Sequence, residues 1–253
     1  MPVTRGKEAA NPPPSASEPA AAPPDSRISA DDSRRYWSGV DADVNGMLGG
    51  FPGVSRVDLR GSRSFLAKLG LGRTGGRKAV ARALEGGAGI GRVTEGLLLE
   101  VAETVDVVEP IAKFTTALAG RAGVGRVYNV GLEEWRPGEA DAAPPPYDLV
   151  WNQWCLGHLT DRQLADYLRR CAAALATAPD GTPTGLIVVK ENLSTAGEDL
   201  FDELDSSVTR QDETFRRVFD SAGLRIVRTE LQHGFPAELY PVRMYALKPK
   251  VTE

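Results

Sequence analysis

The sequence predicts an α/β fold. It is read as a seven-stranded, mostly parallel sheet covered on both faces, closed by an antiparallel C-terminal hairpin and preceded by an N-terminal helical extension. Three observations predict it. From Lys78 onward, short apolar runs alternate with segments of helical spacing, as in parallel strands buried on both faces. The first run ends in Glu85 and a glycine-rich turn, Gly86-Gly87-Ala88-Gly89-Ile90-Gly91-Arg92, where a ligand can lie against bare backbone. The last two runs, 224–231 and 240–247, are joined by a polar loop with no helix, which makes them an antiparallel pair at the sheet edge.

The 253 residues suffice for one domain plus an extension, and 42% apolar with 25% charged residues is ordinary for a globular chain. A net charge of −4 argues against nonspecific nucleic-acid or acidic-membrane binding. Cys155 and Cys171 have no metal-ligand spacing and sit in apolar surroundings, which suits buried free thiols in a reducing compartment. Two histidines are too few for a His/Cys zinc site, so no metal is expected. No apolar run has the length of a membrane span, and no secretory signal core is present; the expected location is cytoplasm or nucleus, and the expected state a monomer.

In chain order, the Pro/Ala-rich stretch 1–33 cannot bury enough surface to offset ordering entropy and is read as a disordered tail. Residues 34–253 form one domain, with a helical and lid-like extension over 34–77 and the core over 78–253. Asp31, Asp32 and Ser33 can cap a short helix carrying Tyr36 and Trp37. The segment 44–52 interleaves glycines with Met47, Leu48 and Phe51, a composition that suits a mobile clamp or an irregular packed loop equally. Residues 63–69 have helical spacing. Strands are expected at 79–85, 104–109, 126–130, 147–154 and 185–190. The clearest helix is 161–176, where Leu164, Tyr167, Leu168, Cys171 and Leu175 share a face. Surface loops are expected at the Pro-rich 137–146 and the Pro/Thr-rich 179–184.

Five α/β units closed by an antiparallel pair is the layout of Rossmann-like class I methyltransferases; a dinucleotide dehydrogenase more often continues with helices or a second domain. Glu109, 24 residues beyond Glu85, can accept hydrogen bonds from ribose hydroxyls in either cofactor class, or simply face solvent. The acid-x-Gly-x-Gly-x-Gly pattern favours S-adenosylmethionine over NAD. Its bland alternative is a tight connection that holds nothing.

Chemistry should gather at the C-terminal ends of the strands. Asn152-Gln153-Trp154-Cys155-Leu156-Gly157-His158 follows the fourth strand and Lys190-Glu191-Asn192 the fifth. Trp154 could be core, and His158 could cap the helix beginning near Thr160. Glu198, Asp199, Asp202, Glu203 and Asp205 put five acids into eight residues, either a solvated face or a negative funnel for a basic substrate.

From about Tyr36 to Leu247 the sequence resembles the protein alpha-N-terminal methyltransferases that act on Xaa-Pro-Lys/Arg termini. The motifs are Gly46-Met47-Leu48-Gly49-Gly50-Phe51, the glycine turn, Trp151-Asn152-Gln153-Trp154, Gly157-His158-Leu159-Thr160-Asp161, Lys190-Glu191-Asn192 and Leu204-Asp205-Ser206-Ser207-Val208. The resemblance implies S-adenosylmethionine as cofactor, with Gly87, Gly89 and Arg92 at its amino-acid end and Glu109 at its ribose. Pro110, Ile111, Gly131 and Leu132 would lie at the adenine, and Gln153 would contact it from the fourth strand. Asp205 and His158 would orient the substrate amine and accept its proton. Trp154 and Asn192 would line the channel, Asp202 and Ser207 would hold a third-position basic side chain, and Leu48, Gly49 and Tyr240 would clamp the peptide. Partners would be proteins with free Xaa-Pro-Lys/Arg termini, with no nucleic acid and no membrane. The sequence departs from the family in carrying Glu85 and Glu109 where Asp is usual, Pro110-Ile111 where threonine is common, and one extra residue between Asn192 and Asp205. Two other readings stay open: a class I methyltransferase for a small-molecule amine, and a pseudoenzyme that binds cofactor or peptide without turnover.

Overall fold

The computed structural model describes residues 22–73, 75–138 and 146–250. A single turn of 3-10 helix, Pro24–Arg27, leads into α1 (Ala30–Gly39), α2 (Val44–Met47) and α3 (Ser55–Lys68). The core then runs β1 (Val80–Gly86), a π turn (Thr94–Leu98) continuing as α4 (Leu99–Val101), β2 (Ala102–Val108), α5 (Ala112–Thr115), β3 (Val124–Tyr128) and β4 (Leu149–Gln153). It finishes with α6 (Asp161–Ala173), β5 (Leu186–Asn192), β6 (Leu200–Asp202), β7 (Ser207–Thr209), α7 (Asp212–Ser221), β8 (Leu224–Leu231) and β9 (Val242–Pro249).

The main sheet has seven strands in the order β3-β2-β1-β4-β5-β9-β8. The first five are parallel, and β9 inserts antiparallel between β5 and β8. The order reverses between β1 and β4, so the crevice outside their carboxyl ends is the natural ligand site of such a sheet. Because side chains alternate across a strand, neighbouring residues feed two separate cores. Leu84, Val150, Ile187 and Val189 pack with α6 and α7, whereas Ala83, Leu149, Trp151 and Val188 pack with α3 and the 93–101 segment. Leu164, Tyr167, Leu168, Cys171 and Leu175 all lie in the first of these cores. Both cysteines are buried and free.

Several sequence expectations are corrected. The expected tail ends earlier: residues 22–33 are folded onto the domain, while 1–21 lie outside the described residues. Asp25 accepts a hydrogen bond from the Asp161 amide, and Ser206 Oγ accepts one from the Ser29 amide. Helix α1 is capped not by Asp31, Asp32 or Ser33 but by Ser29, whose hydroxyl accepts from the Asp32 amide. Helix α3 begins eight residues before the expected 63, because its first turns carry arginines and Gly61 instead of an apolar stripe. The hairpin β6–β7 was not expected. Its three-residue strands are too short to register as an apolar period. The Pro-rich loop 137–146 lies mostly outside the described residues.

Asp106 ties three strands together from a fully buried position. It takes both Arg82 nitrogens (2.9 and 3.0 Å), the Tyr147 hydroxyl (2.8 Å) and the Arg126 amide (2.8 Å). Asp106→Ala removes the carboxylate paired with this guanidinium and strands a phenol and an amide. It should cost about 2–4 kcal/mol and lower Tm by roughly 5–15 °C in a calorimetric melt.

Candidate active site

The crevice over the carboxyl ends of β1, β2 and β4 holds about 1000 Å³ of empty space, part of it open to solvent. Its floor is the glycine turn. Gly87, Gly89 and Gly91 all have left-handed φ values, of 67°, 55° and 80°. A Cβ on Gly87 would stand 2.3 Å from Cys155 Cβ, and one on Gly89 would stand 2.8 Å from Met47 Sδ. Alanine at either position would need a strained backbone and displaced neighbours, so both glycines are required by conformation and by space.

The nine residues expected to hold cofactor all line this one crevice: Gly87, Gly89, Arg92, Glu109, Pro110, Ile111, Gly131, Leu132 and Gln153. Trp154 and His158 join them. The residues present fit the group that the resemblance implies, since a turn stripped of side chains, a guanidinium and an acidic residue after the second strand lie along one wall. Glu109 does not face solvent; it is 6% exposed, with its carboxylate accepting from the Gly89 amide (2.8 Å) and the Ile111 amide (2.9 Å). Burial raises its pKa despite these two bonds.

Glu85 lies beneath the turn, 3% exposed and bonded to the Thr94 hydroxyl, the first residue of the π turn. Burial pushes its carboxyl up to about 8, against the opposing Thr94 bond and Arg92 charge. Arg92 is paired to Asp58 of α3 (2.7 Å), and its guanidinium lies 5.4 Å from the Trp154 ring centre. Gln153 accepts from the Trp151 indole (3.2 Å) and donates to both oxygens of Asp58 (2.9 and 3.0 Å).

The segment after β4 is held from below. Glu191 Oε1 accepts from the amides of Cys155 and Leu156, both at 2.9 Å. Arg210, fully buried, donates to the carbonyls of Leu156 (3.0 Å) and Leu159 (2.5 Å) and pairs with Asp161. These bonds fix a turn in which Trp154 has φ 53°, a left-handed value that costs about 1–3 kcal/mol at a bulky residue. Helix α6 is capped by Thr160 in a capping box with Gln163, so His158 is not its cap.

His158 is instead gripped by α1. Its Nδ1 lies 3.0 Å from Ser33 Oγ, and the Trp37 indole donates to Nε2 at 3.2 Å. An indole N–H can only donate, so Nε2 carries no proton and Nδ1–H points to Ser33. Burial lowers the His158 pKa, with the Asp205 charge opposing, which agrees with a neutral ring.

The hairpin β6–β7 brings Asp205 within charge range of His158, although Asp205 is not itself among the residues lining the crevice. Its second strand lies on the 156–158 turn, where a Cβ on Gly157 would stand 3.0 Å from the Val208 carbonyl oxygen. Asp205 is 7% exposed, and its Oδ1 has no hydrogen-bond partner among the described residues. The next residue, Ser206, has φ 55°. The acidic run is not a uniform solvated face, because its members have separate partners. Asp199 accepts from the Gln211 amide and the Thr214 hydroxyl at the start of α7, Asp202 accepts from the Leu204 amide, and Glu203 pairs with Arg27. Ser207 faces Asp202 across the hairpin.

Of the residues expected to clamp a peptide, Leu48 belongs to a neighbouring apolar cluster. Leu48, fully buried, packs with Val54 and Leu239, and Phe51, Trp154 and Phe235 lie against them. Gly49 follows with φ 56°. Asn192 ends β5 opposite Val242, and the Leu193 amide bonds the Pro241 carbonyl, which places Tyr240 at the same rim. Sequence reasoning missed Ser33, Arg34, Glu133 and Asp58. Arg34 bridges α1 to Glu133 and Glu134 at 2.8 and 2.9 Å. No local pattern marks such pairs, which join segments about a hundred residues apart.

Residues 25–248 match the family described as AdoMet dependent proline di-methyltransferase. The chain is 45% identical over 223 residues to the Schizosaccharomyces pombe alpha N-terminal protein methyltransferase 1, covering 86% of this chain and 95% of that protein. It is 40% identical over 225 residues to the Rattus norvegicus N-terminal Xaa-Pro-Lys N-methyltransferase 1, covering 85% and 93%. Among solved structures it resembles a SAM-dependent methyltransferase of Leishmania major, with a TM-score of 0.73, 37% identity, and coverage of 86% of this chain and 82% of that one.

Glu85 supplies a test of the floor of the crevice. The folded state keeps a proton on this carboxyl that the unfolded chain releases above the ordinary 4.5. Its contribution to stability is therefore full below that pH and falls away as pH rises toward about 8. Glu85→Gln, which cannot ionise, should melt close to wild type at pH 5 and several degrees above it at pH 8, read by scanning calorimetry at both pH values.

Proposed function

The chain belongs to the family of AdoMet-dependent proline di-methyltransferases, and on that premise we propose that it methylates the α-amine of protein N-termini of the form Xaa-Pro-Lys/Arg, with Asp205 as the group that receives the amine. The cofactor is S-adenosylmethionine, which when bound supplies an electrophilic methyl on a sulfonium. The observation that carries the reading is the bare Oδ1 of Asp205, a buried carboxylate oxygen with no partner among the described residues. A buried charge left unanswered is costly, and an ammonium is the ligand that answers it.

An α-amine has a pKa of about 7.7–8.0 and is mostly protonated at neutral pH, so it must lose a proton before its lone pair can attack. Asp205 can bind the ammonium, draw off that proton and hold the free amine in line. His158, neutral and turned toward Ser33 and Trp37, adds no positive charge to repel the substrate. Its part is to hold α1 over the site and to offer the amine a polar, uncharged wall. This shifts the weight of proton acceptance from the Asp205–His158 pair to Asp205.

The remaining residues suit a peptide with proline second. Proline has a fixed φ and no N–H, so it enters the space beside Trp154 without burying an unpaired donor. Asn192 would line the same channel, and Leu48, Gly49 and Tyr240 would close over the backbone. Asp202 and Ser207, paired across the hairpin, would meet a third-position Lys or Arg. The carboxylates lie close enough to the site that, after burial, the Asp205 and Asp202 charges push the Tyr36 hydroxyl pKa up. We place the enzyme in the cytoplasm or nucleus, where Cys155 and Cys171 stay reduced, acting as a monomer without nucleic acid.

Mass spectrometry of Ser-Pro-Lys-Arg peptides incubated with S-adenosylmethionine should show methylation at the N-terminus and none on the N-acetylated control. Asp205→Asn should lower kcat by about 10²–10⁴ with cofactor affinity changed less than threefold. Equal turnover of Xaa-Ala-Lys peptides, or of small amines in place of peptides, would replace this reading with a less selective methyltransferase. Cofactor binding without turnover of any peptide would mark a pseudoenzyme.

A further inference from the structure

Asp58 lies on α3, outside the glycine turn and outside every motif of the crevice, yet it is fully buried and touches the groups behind the cofactor wall. Its carboxylate meets Arg92 (2.7 Å), Lys190 (2.5 Å) and the Gln153 amide. Burial alone would raise its pKa, but the Lys190 and Arg92 charges outweigh that and hold it below the usual carboxylate range. Lys190 is spent in full. Its ammonium also bonds the Asp58 carbonyl (3.1 Å), Ser62 Oγ (2.9 Å) and Gln232 Oε1 (2.8 Å), so it reaches nothing in the crevice. Gly61 makes room for this, since a Cβ there would stand 2.1 Å from Gln232 Oε1. Two cations share one carboxylate, leaving a buried sum of one positive charge beside the crevice.

We propose that Asp58 is a positioning residue of the cofactor site, its carboxylate fixing the direction in which Arg92 and Gln153 face the amino-acid end of S-adenosylmethionine. This rests on the reading of Arg92 as the anchor of that end. A guanidinium with 9% of its side chain exposed swings little, and the carboxylate it is paired with decides which N–H groups remain for a ligand. Lys190 serves Asp58 in turn, and the excess positive charge favours a carboxylate arriving from the crevice.

The test compares two ligands by calorimetry: S-adenosylhomocysteine, which has the amino-acid end, and 5′-methylthioadenosine, which lacks it. Asp58→Asn should weaken S-adenosylhomocysteine about tenfold to a hundredfold, the scale of one charge-assisted hydrogen bond, and 5′-methylthioadenosine less than threefold. In turnover, KM for the cofactor should rise while KM for the peptide stays within threefold. Unchanged homocysteine-ligand affinity, or equal losses for both ligands, overturns the proposal. Should Asp58→Asn fail to fold, Asp58→Asn/Lys190→Met replaces it. That variant removes one charge of each sign and keeps the buried sum at the wild-type value, while Arg92 still loses its partner, so the same outcomes apply. Arg92→Met separates the two levels of the argument. If it leaves S-adenosylhomocysteine affinity intact, the anchor reading fails; if it weakens binding and the Asp58 variants do not, only the positioning role fails.

Discussion

The ammonium of Lys190 has no contact with water, and the open end of the sheet is arranged around that fact. A charge in such a place must be paired and hydrogen-bonded or the fold loses several kcal/mol. The pairing group, Asp58, is not in the sheet, so α3 must come down onto the ends of β4 and β5. With α3 fixed there, Arg92 and Gln153 share its carboxylate, and the segment before α3 is drawn over Trp154. One electrostatic requirement thus sets where the N-terminal extension sits and how the crevice wall faces.

A second buried charge does the same for the opposite wall. Arg210 gives its donors to two carbonyls of the turn after β4 and to Asp161, while Glu191 takes the amides of Cys155 and Leu156. The backbone is so over-determined that Trp154 is held at a positive φ without glycine. Strain of that kind persists only where neighbours leave no alternative, and here it aims a large ring across the site.

The contrast between what the sequence reveals and what it hides follows from range. Strands β1, β2, β4, β5 and β8, helix α6 and the glycine turn are each written in a few adjacent residues, through apolar runs, one helical face, and glycines at positions of positive φ where a Cβ would also crowd a neighbour. All nine expected cofactor residues therefore fall on one crevice. Asp58 is invisible by the same logic. It meets Lys190 across 132 positions, in a helix whose Gly61 and arginines blur its period. Residues 22–33 looked like tail because their contacts, Asp25 with Asp161 and Ser29 with Ser206, are polar and distant. The acidic run looked uniform as a string, yet the fold gives its members separate tasks.

The two ends of the crevice differ in sign. Behind the glycine turn, Arg92 and Lys190 exceed Asp58 by one positive charge; on the side of the neutral His158, just behind the crevice lining, stands the Asp205 charge. Low-dielectric walls make such a difference count for more than it would in water. On the reading proposed above, the carboxylate of the cofactor's amino acid is drawn to the first end and the ammonium of the substrate to the second. A protonated His158 would cancel most of that polarity. The Trp37 bond to Nε2 opposes protonation, because an imidazolium has no acceptor left for the indole. Helix α1 therefore does more than roof the site: by holding one histidine neutral, it preserves the field that tells an incoming amine which way to face.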